Sequence, residues 1–294
     1  MLRLVPLSVV LIWRAVEEDV VGALRSLIGG VRDEGGEVLI VTALGRDSIE
    51  TASTAINDDA VRWIRVEPPL TEPNGWNAGL AASNGTTLGF GQAKGQYAAG
   101  WARSVMAARA NGADVVAGPV RLSRAARLTS QAAHLCDYAA FDDPGDEGPG
   151  GAAACNLAFD RRILDDFPSE NGLHKCALLA TNKLRVVWRP EMSATLSPLG
   201  SFKAAGVARF HRGRHYASLR AATWPRSARI VAGLGCLALP FLLFVRLIAL
   251  DHVRRRYRRT LFLGSPWIAT SLGLWSLGEM AGYWSGTGNS ARFL

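Results

Sequence analysis

Three apolar runs near the start of the chain decide the fold: SVVLIW at residues 8–13, EVLIV at 37–41 and AVRWIRV at 60–66. The first two are continuous runs of strand-forming residues, and the third is a strand with alternating faces. Between the first two runs, residues 18–28 place their apolar side chains at helical spacing. Strand and helix therefore alternate, which predicts an α/β fold with a mainly parallel sheet and helices on both faces.

The same alternation continues further along the chain. We expect helices at 48–56 and 77–82, a strand at 86–90, an Ala-rich helix at 97–111 and a strand at 114–120. In sheets of this type, ligands bind beyond the carboxyl ends of the strands.

The amino terminus, MLRLVPLSVVLIW, places a basic residue before an apolar stretch, as a signal peptide does. Charged residues follow directly and no small-residue cleavage site is present, so a buried first strand is the better interpretation. The four cysteines include no CxxC pair and are interpreted as reduced packing residues. The acidic, Gly- and Pro-rich stretch at 141–151 is interpreted as a solvated loop, since its carboxylates lack the spacing of a calcium site.

The end of the chain differs from the rest because long apolar runs at 230–245 and 261–277 contain no charged residue. Much of the formal charge of +8 gathers beside the first run. The arginines concerned are Arg209, Arg212, Arg214, Arg220, Arg226, Arg229, Arg254, Arg255, Arg256, Arg258 and Arg259. Anionic lipid headgroups explain this distribution better than nucleic acid does. The sequence therefore predicts two domains, residues 1–220 and a membrane-associated helical tail at 221–294.

Two arrangements of the tail are consistent with its length. Each apolar run is near the minimum of about 17 to 20 residues for a bilayer-spanning helix, and Gly and Pro residues interrupt both. Two tilted spans and a pair of interfacial helices remain open. We expect the protein at the inner face of the cell membrane, with its globular domain on the cytoplasmic side.

Four later segments follow the first strands in a recognisable order. They are WNAGLAASNGTTLGFGQAKGQYAAGW, ADVVAGPV, NLAFDRRILDDFP and RVVWRPE. In this order the chain resembles the family 2 glycosyltransferases, which have the Rossmann-like GT-A fold, over roughly residues 6–220. The tail resembles the hydrophobic ends of membrane-bound members. The resemblance implies a hexosyltransferase that uses a nucleotide-sugar and acts on a glycan or lipid-linked acceptor in polysaccharide or glycolipid assembly.

The resemblance also assigns residues to the two substrates. Asn77 would border the nucleotide pocket, and Asn156, Arg161 and Arg162 would border the acceptor. Thr42 stands where the second strand of family members leads into paired aspartates, which are absent here.

The Asp-x-Asp metal motif of the family is replaced by Gln92-Ala93-Lys94. We expect Gln92 and Lys94 to lie on the donor side, although Gln92 is a poor ligand for a hard cation and Lys94 would repel one. No metal cofactor is therefore predicted.

The catalytic base of the family is altered as well. Asn171-Gly172 stand at the expected Glu-Asp position, which leaves Glu170, His174 or the Asp165/Asp166 pair as candidates.

Two hypotheses remain. In the first, the protein is an active transferase in which Lys94 supplies positive charge to the phosphates in place of a metal. In the second, it is a catalytically inactive pseudo-glycosyltransferase, a scaffold or regulatory binding subunit that works with other glycan-assembly proteins.

Overall fold

The computed structural model describes these parts of the chain: residues 4–123, 126–142, 152–165, 184–196 and 202–293. The chain divides into two compact units, Met1–Ser123 with Phe141–Leu199, and Arg124–Ala140 with Gly200–Leu294. The predicted division of the chain after residue 220 stays a prediction.

The strands of the described residues all belong to the first unit. They are β1 (Val5–Trp13), β2 (Glu37–Thr42), β3 (Val61–Arg65), β4 (Gly85–Gln92), β5 (Gly95–Tyr97), β6 (Val115–Ala117), β7 (Val120–Leu122), β8 (Leu157–Asp160), β9 (Val186–Trp188) and β10 (Ala194–Leu196). Seven of them form one sheet in the order β3-β2-β1-β4-β8-β6-β9, and β5-β10-β7 form a smaller sheet.

The large sheet is mainly parallel, as predicted. Strands β1 to β4 pair in parallel, β8 runs antiparallel to both β4 and β6, and β9 is parallel to β6.

The helices alternate with these strands and then continue alone. They are α1 (Val20–Asp33), α2 (Arg46–Ile56), α3 (Glu72–Ala82), α4 (Trp101–Ala110), α5 (Leu128–Asp142), α6 (Arg161–Asp165), α7 (Phe202–Arg220), α8 (Arg226–Gly235), α9 (Leu239–Ala249), α10 (Asp251–Arg256), α11 (Arg258–Leu263) and α12 (Ser265–Ser285).

Helices cover both faces of the large sheet, which confirms the α/β prediction. Leu7, Val9 and Leu11 of β1 pack in one core with α1, α2 and α4. Val10 and Ile12 point to the opposite face and pack in a second core with α3 and α6. This alternation is the period of two that a strand imposes on its side chains.

Helix α3 begins at Glu72, five residues earlier than predicted. Thr71 caps it by accepting a hydrogen bond from the N–H of Asn74 at 3.3 Å. Gly75 lets the helix lie close to β1, since a Cβ at this position would lie 2.8 Å from Cδ1 of Ile12. The first turn of α3 is thereby held beside the end of β1.

Residues 95–97 form strand β5, so the helix predicted at 97–111 begins later, at Trp101. The physical reason is Tyr97, whose buried hydroxyl accepts from the N–H of Gln92 at 2.8 Å and donates to its C=O at 3.0 Å. These two bonds turn the chain back directly after β4.

The second unit is helical, with α7 and α12 packed against each other through small residues. A Cβ at Gly278 or Gly282 of α12 would collide with the backbone carbonyls of Phe210 and Arg214 on α7. Both glycines are therefore required for this close approach.

Within the described residues, no single helix is long and apolar enough to cross a membrane. The pair α8 and α9 reaches the required length and composition together, but a bend of 57° separates the two helices. The described residues of the tail therefore contain no single helix that corresponds to either of the two spans considered from the sequence.

Candidate functional site

The parallel strands of the large sheet end together at one edge, which we call the carboxyl edge and define by Trp13, Thr42, Gln92 and Trp188. Trp13 is paired with Thr42, and Ile12 with Gln92, so β1, β2 and β4 end at nearly the same level. Strand β9 runs in the same direction and ends at Trp188. A ligand of this fold class is expected at this edge.

Three polar atoms at the carboxyl edge are buried and find no hydrogen-bond partner among the described residues: Trp13 Nε1, Gln92 Oε1 and Trp188 Nε1. Leaving a buried polar group unpaired costs about 1 to 3 kcal/mol, so native proteins seldom retain several without a function. Two of these atoms are donors and one is an acceptor. Trp13 packs in the core on one face of the sheet and Trp188 beside the core on the other face, so the three atoms do not form one cluster.

Glu72 connects the polar residues of this edge, and the sequence reasoning missed it. Its Oε1 accepts from Nε2 of Gln92 at 3.1 Å and lies 3.4 Å from Nη2 of Arg14. Gln92 is only 6% exposed, so Glu72 fixes which atom of that amide remains without a partner. The sequence did contain a signal for it, because Thr71 followed by Glu72 and Pro73 is typical of a helix start.

The backbone of Gln92 is fixed by Tyr97 through the two hydrogen bonds described above. Burial raises the pKa of Tyr97, so its hydroxyl stays protonated and donates at every physiological pH. Lys94 occupies the turn between β4 and β5 and is half-buried. The structure thus brings Gln92 and Lys94, both predicted on the donor side, to the same edge.

Thr42 lies at the carboxyl edge and Asn77 on α3, and their predicted contacts with the donor stay predictions. The Thr42 side chain is fully buried, and its Oγ1 accepts from the N–H of Leu44 at 3.1 Å, which shapes the loop after β2. Asn77 is half-buried and lies five residues beyond Glu72, about 7.5 Å further along the helix axis. Glu72 is therefore the α3 residue that the structure places at the carboxyl edge.

Asn156 joins separate parts of the first unit. Its amide donates to the carbonyls of Pro119 at 3.0 Å and Met192 at 2.7 Å, and its Oδ1 accepts from Nε1 of Trp101 at 2.8 Å. The side chain is fully buried. These contacts give Asn156 a structural role, and its predicted contact with the acceptor stays a prediction.

Arg161 and Arg162 lie at the opposite edge of the sheet, which does not support their predicted place beside the acceptor. Strand β8 runs antiparallel to β4 and pairs Asp160 with Thr87, five residues or about 17 Å before Gln92. Arg161 donates to the carbonyls of Ser83 at 3.1 Å and Gly85 at 3.3 Å, near the start of β4. Their position in the sequence suggested that these arginines lie near the carboxyl edge. Because β8 runs antiparallel to β4, its end lies at the opposite edge.

Several predicted residues lie outside the described part of the chain. They are Glu170, His174, Asp166 and most of the acidic loop. Asp165 ends α6 and lies 3.5 Å from Nε of Arg161.

The described residues of the carboxyl edge do not fit a divalent cation. Gln92 and Lys94 replace the carboxylates that a hard cation prefers, and Glu72 is shared with Arg14. Nowhere in the described ranges do three or more His, Cys, Asp or Glu side chains form a group that could hold a metal ion. We therefore derive no reaction step through a metal.

No family model and no curated protein matches the chain. Among solved structures, it is similar to the mannosyltransferase PcManGT from Pyrobaculum calidifontis in complex with GDP-Man and Mn2+. The identity is 15%, the TM-score is 0.57, and the match covers 94% of this chain and 87% of that chain. The chain has a glycosyltransferase fold. At this identity the likeness shows the fold alone, so membership of family 2 stays a prediction.

Proposed function

We propose that the protein transfers a sugar from a nucleotide-sugar to a hydroxyl group of a glycan or lipid-linked acceptor. The observation that carries the proposal is Gln92 Oε1, a buried acceptor without a partner among the described residues, held by Glu72 at the carboxyl edge. The edge lies where this fold class binds ligands. A structure of the same fold contains GDP-Man, which supports a nucleotide-sugar as the donor.

In this reaction the bond between the sugar C1 and the diphosphate oxygen breaks, and the acceptor oxygen forms the new bond to C1. The acceptor proton passes to a base, for which Glu170 and His174 remain candidates. Negative charge develops on the departing diphosphate and requires positive charge nearby. We assign this role to Arg14 and Lys94, since an arginine or lysine forms charge-assisted hydrogen bonds with phosphate.

The acceptor is proposed to be at a membrane. The support is the arginine-rich tail, whose composition favours anionic lipid over nucleic acid. We place the protein at the inner membrane with the carboxyl edge on the cytoplasmic side.

A second candidate is a catalytically inactive binding subunit of a glycan-assembly complex. It is favoured by Gln92 and Lys94, which supply no carboxylate where a metal-dependent transferase would hold its cation. This subunit would bind a nucleotide-sugar without turning it over.

The experiment is a calorimetric titration of the purified full chain with GDP- and UDP-sugars, with and without Mg²⁺ or Mn²⁺. The transferase predicts metal-independent binding and slow sugar release, both weakened by Lys94→Ala. The matched control is Lys203→Ala, which removes an exposed lysine of the second unit. Binding without release would favour the inactive subunit, and absence of binding to every nucleotide-sugar would refute both candidates.

A further inference from the structure

Helices α8 and α9 and the turn between them present a series of exposed apolar side chains, which we call the apolar ridge. Its members are Ile230, Val231, Leu234, Leu237, Phe241, Leu242 and Val245. Leu237 is 72% exposed and Phe241 is 70% exposed. A contiguous apolar patch of this kind is typical of an interaction surface rather than of ordinary protein surface.

The opposite side of the same helices is already packed against α12. A Cβ at Gly233 would collide with the indole of Trp284, and Cys236 is buried in a cluster with Tyr283. Leu247 of α9 is buried in another cluster with Ile268. The ridge is therefore an additional apolar face, beyond the one that the second unit uses for its own folding.

Helix α11 adds a second exposed apolar element in the same unit. Phe262 is 81% exposed and Leu263 is 45% exposed. Together with Leu261, Arg258 and Arg259 they line an open groove of about 840 Å³. Apolar side chains and the guanidinium groups of arginines thus line the same groove, as in segments that lie at a lipid–water interface.

The charge of this region is strongly one-sided. Between residues 226 and 263 the only acidic residue is Asp251, which is paired with Arg254. The arginines of the same segment are Arg226, Arg229, Arg246, Arg254, Arg255, Arg256, Arg258 and Arg259. Such a surplus complements a layer of phosphate headgroups.

Aromatic side chains mark one end of the ridge. Trp224, Tyr283 and Trp284 line a cavity of about 500 Å³ together with Arg226 and Arg229. Trp and Tyr favour the boundary between headgroups and acyl chains because each combines an apolar ring with a polar atom. The cavity is therefore suited to the headgroup level.

We propose that the apolar ridge and α11 dock into one leaflet of an anionic phospholipid membrane and lie in its interface without crossing it. Helix α8 has 10 residues and α9 has 11, so each is about 16 Å long, half the thickness of the hydrocarbon layer. The bend of 57° prevents them from acting as one straight span. This inference does not depend on nucleotide binding and goes beyond the proposed transfer reaction.

The test is sedimentation of the full chain with vesicles of phosphatidylcholine alone or mixed with phosphatidylglycerol. We expect binding to the anionic vesicles that weakens with added salt. Leu237→Ser with Phe241→Ser should weaken it about tenfold or more. Arg255→Gln and Arg259→Gln should weaken it about fivefold each.

The controls are Val207→Ser, an exposed apolar residue on α7, and Arg103→Gln, an exposed arginine on α4. Circular dichroism checks that each variant is folded. Equal binding to both vesicle types, no binding, or self-association abolished by the ridge substitutions would overturn the proposal.

A second experiment tests whether α8 and α9 stay on one side of the membrane. A membrane-impermeant thiol reagent is applied to Ser227→Cys and to Arg255→Cys, each in a chain without its natural cysteines. Added outside preformed vesicles, the reagent should label both positions. Labelling of Ser227→Cys with protection of Arg255→Cys would mean that α8 and α9 cross the membrane, against the proposal.

Discussion

Both edges of the large sheet contain carboxylates and polar side chains, but the two edges differ in how these groups are paired. At the amino edge, where β2 and β4 begin and β8 ends, each buried carboxylate holds an arginine: Glu37 binds Arg62 at 2.8 Å and Asp160 binds Arg162 at 2.6 Å. At the carboxyl edge, the carboxylate of Glu72 restrains Gln92, whose own oxygen has no partner in the described residues.

The difference separates stability from binding. Ion pairs at the amino edge already satisfy their carboxylates, so substitutions there should act on folding. The buried oxygen of Gln92 has no partner among the described residues and costs stability unless a bound ligand pairs with it. The position of an arginine in the sequence, as with Arg161 and Arg162, therefore does not show whether it lies at the binding edge unless the strand directions are known.

The largest effect is expected from Asp160→Ala at the amino edge. Asp160 is 4% exposed and is bound by Arg109 and Arg162, so its removal leaves the partly buried Arg109 without its charge partner. We expect a loss of about 3 kcal/mol in the free energy of unfolding, measured by urea denaturation. Nucleotide affinity of the folded fraction should be unchanged, and a large loss of affinity would contradict the separation of the two edges.

A smaller effect is expected from Glu72→Ala at the carboxyl edge. It releases the amide of Gln92 and the guanidinium of Arg14, so nucleotide affinity should fall about fivefold, equivalent to about 1 kcal/mol. Titration calorimetry measures the affinity, and Asp33→Ala, which removes an exposed carboxylate at the end of α1, serves as a control. An unchanged affinity would mean that Glu72 does not organise the binding edge.

A further prediction concerns the stability of the fold in acid. Hydrogen bonds from Arg162 lower the pKa of Asp160 from 3.8 to about 2, against the opposing effect of burial. Because the folded pKa lies below the unfolded one, this stabilisation is complete above about pH 4 and is lost as the pH falls towards 2. Asp160→Asn should flatten the acid limb of the stability curve. An unaltered acid limb in this variant would show that Asp160 is not the group responsible.

The sequence predicted the alternating strands and the parallel sheet because the runs at 8–13 and 37–41 are short, rich in β-branched residues and separated by a helical pattern. It also placed Gln92 and Lys94 at the end of a strand, which the structure locates at the carboxyl edge, while their contact with a donor stays a prediction. Glu72 was missed because its partner is 20 residues away and the start of α3 was placed too late. Arg161 was misplaced because the antiparallel pairing of β8 cannot be deduced from local pattern.

The tail shows a similar limit. Composition indicated apolar runs beside arginines, but the bend between α8 and α9 and the packing of one face on α12 are tertiary features. They are the reason why we propose interfacial helices, one of the two arrangements that the sequence left open.

The central claim is that the unpaired oxygen of Gln92 is a ligand contact, and Gln92→Leu tests it most directly. The control is Gln96→Leu, which changes an exposed glutamine on the neighbouring strand β5. We measure the affinity for GDP- and UDP-sugars by calorimetry and the free energy of unfolding by urea. We predict about tenfold weaker binding for Gln92→Leu with stability changed by less than about 1 kcal/mol, and no change in binding for Gln96→Leu. Unchanged binding by Gln92→Leu, in a chain that binds a nucleotide-sugar, would contradict the account.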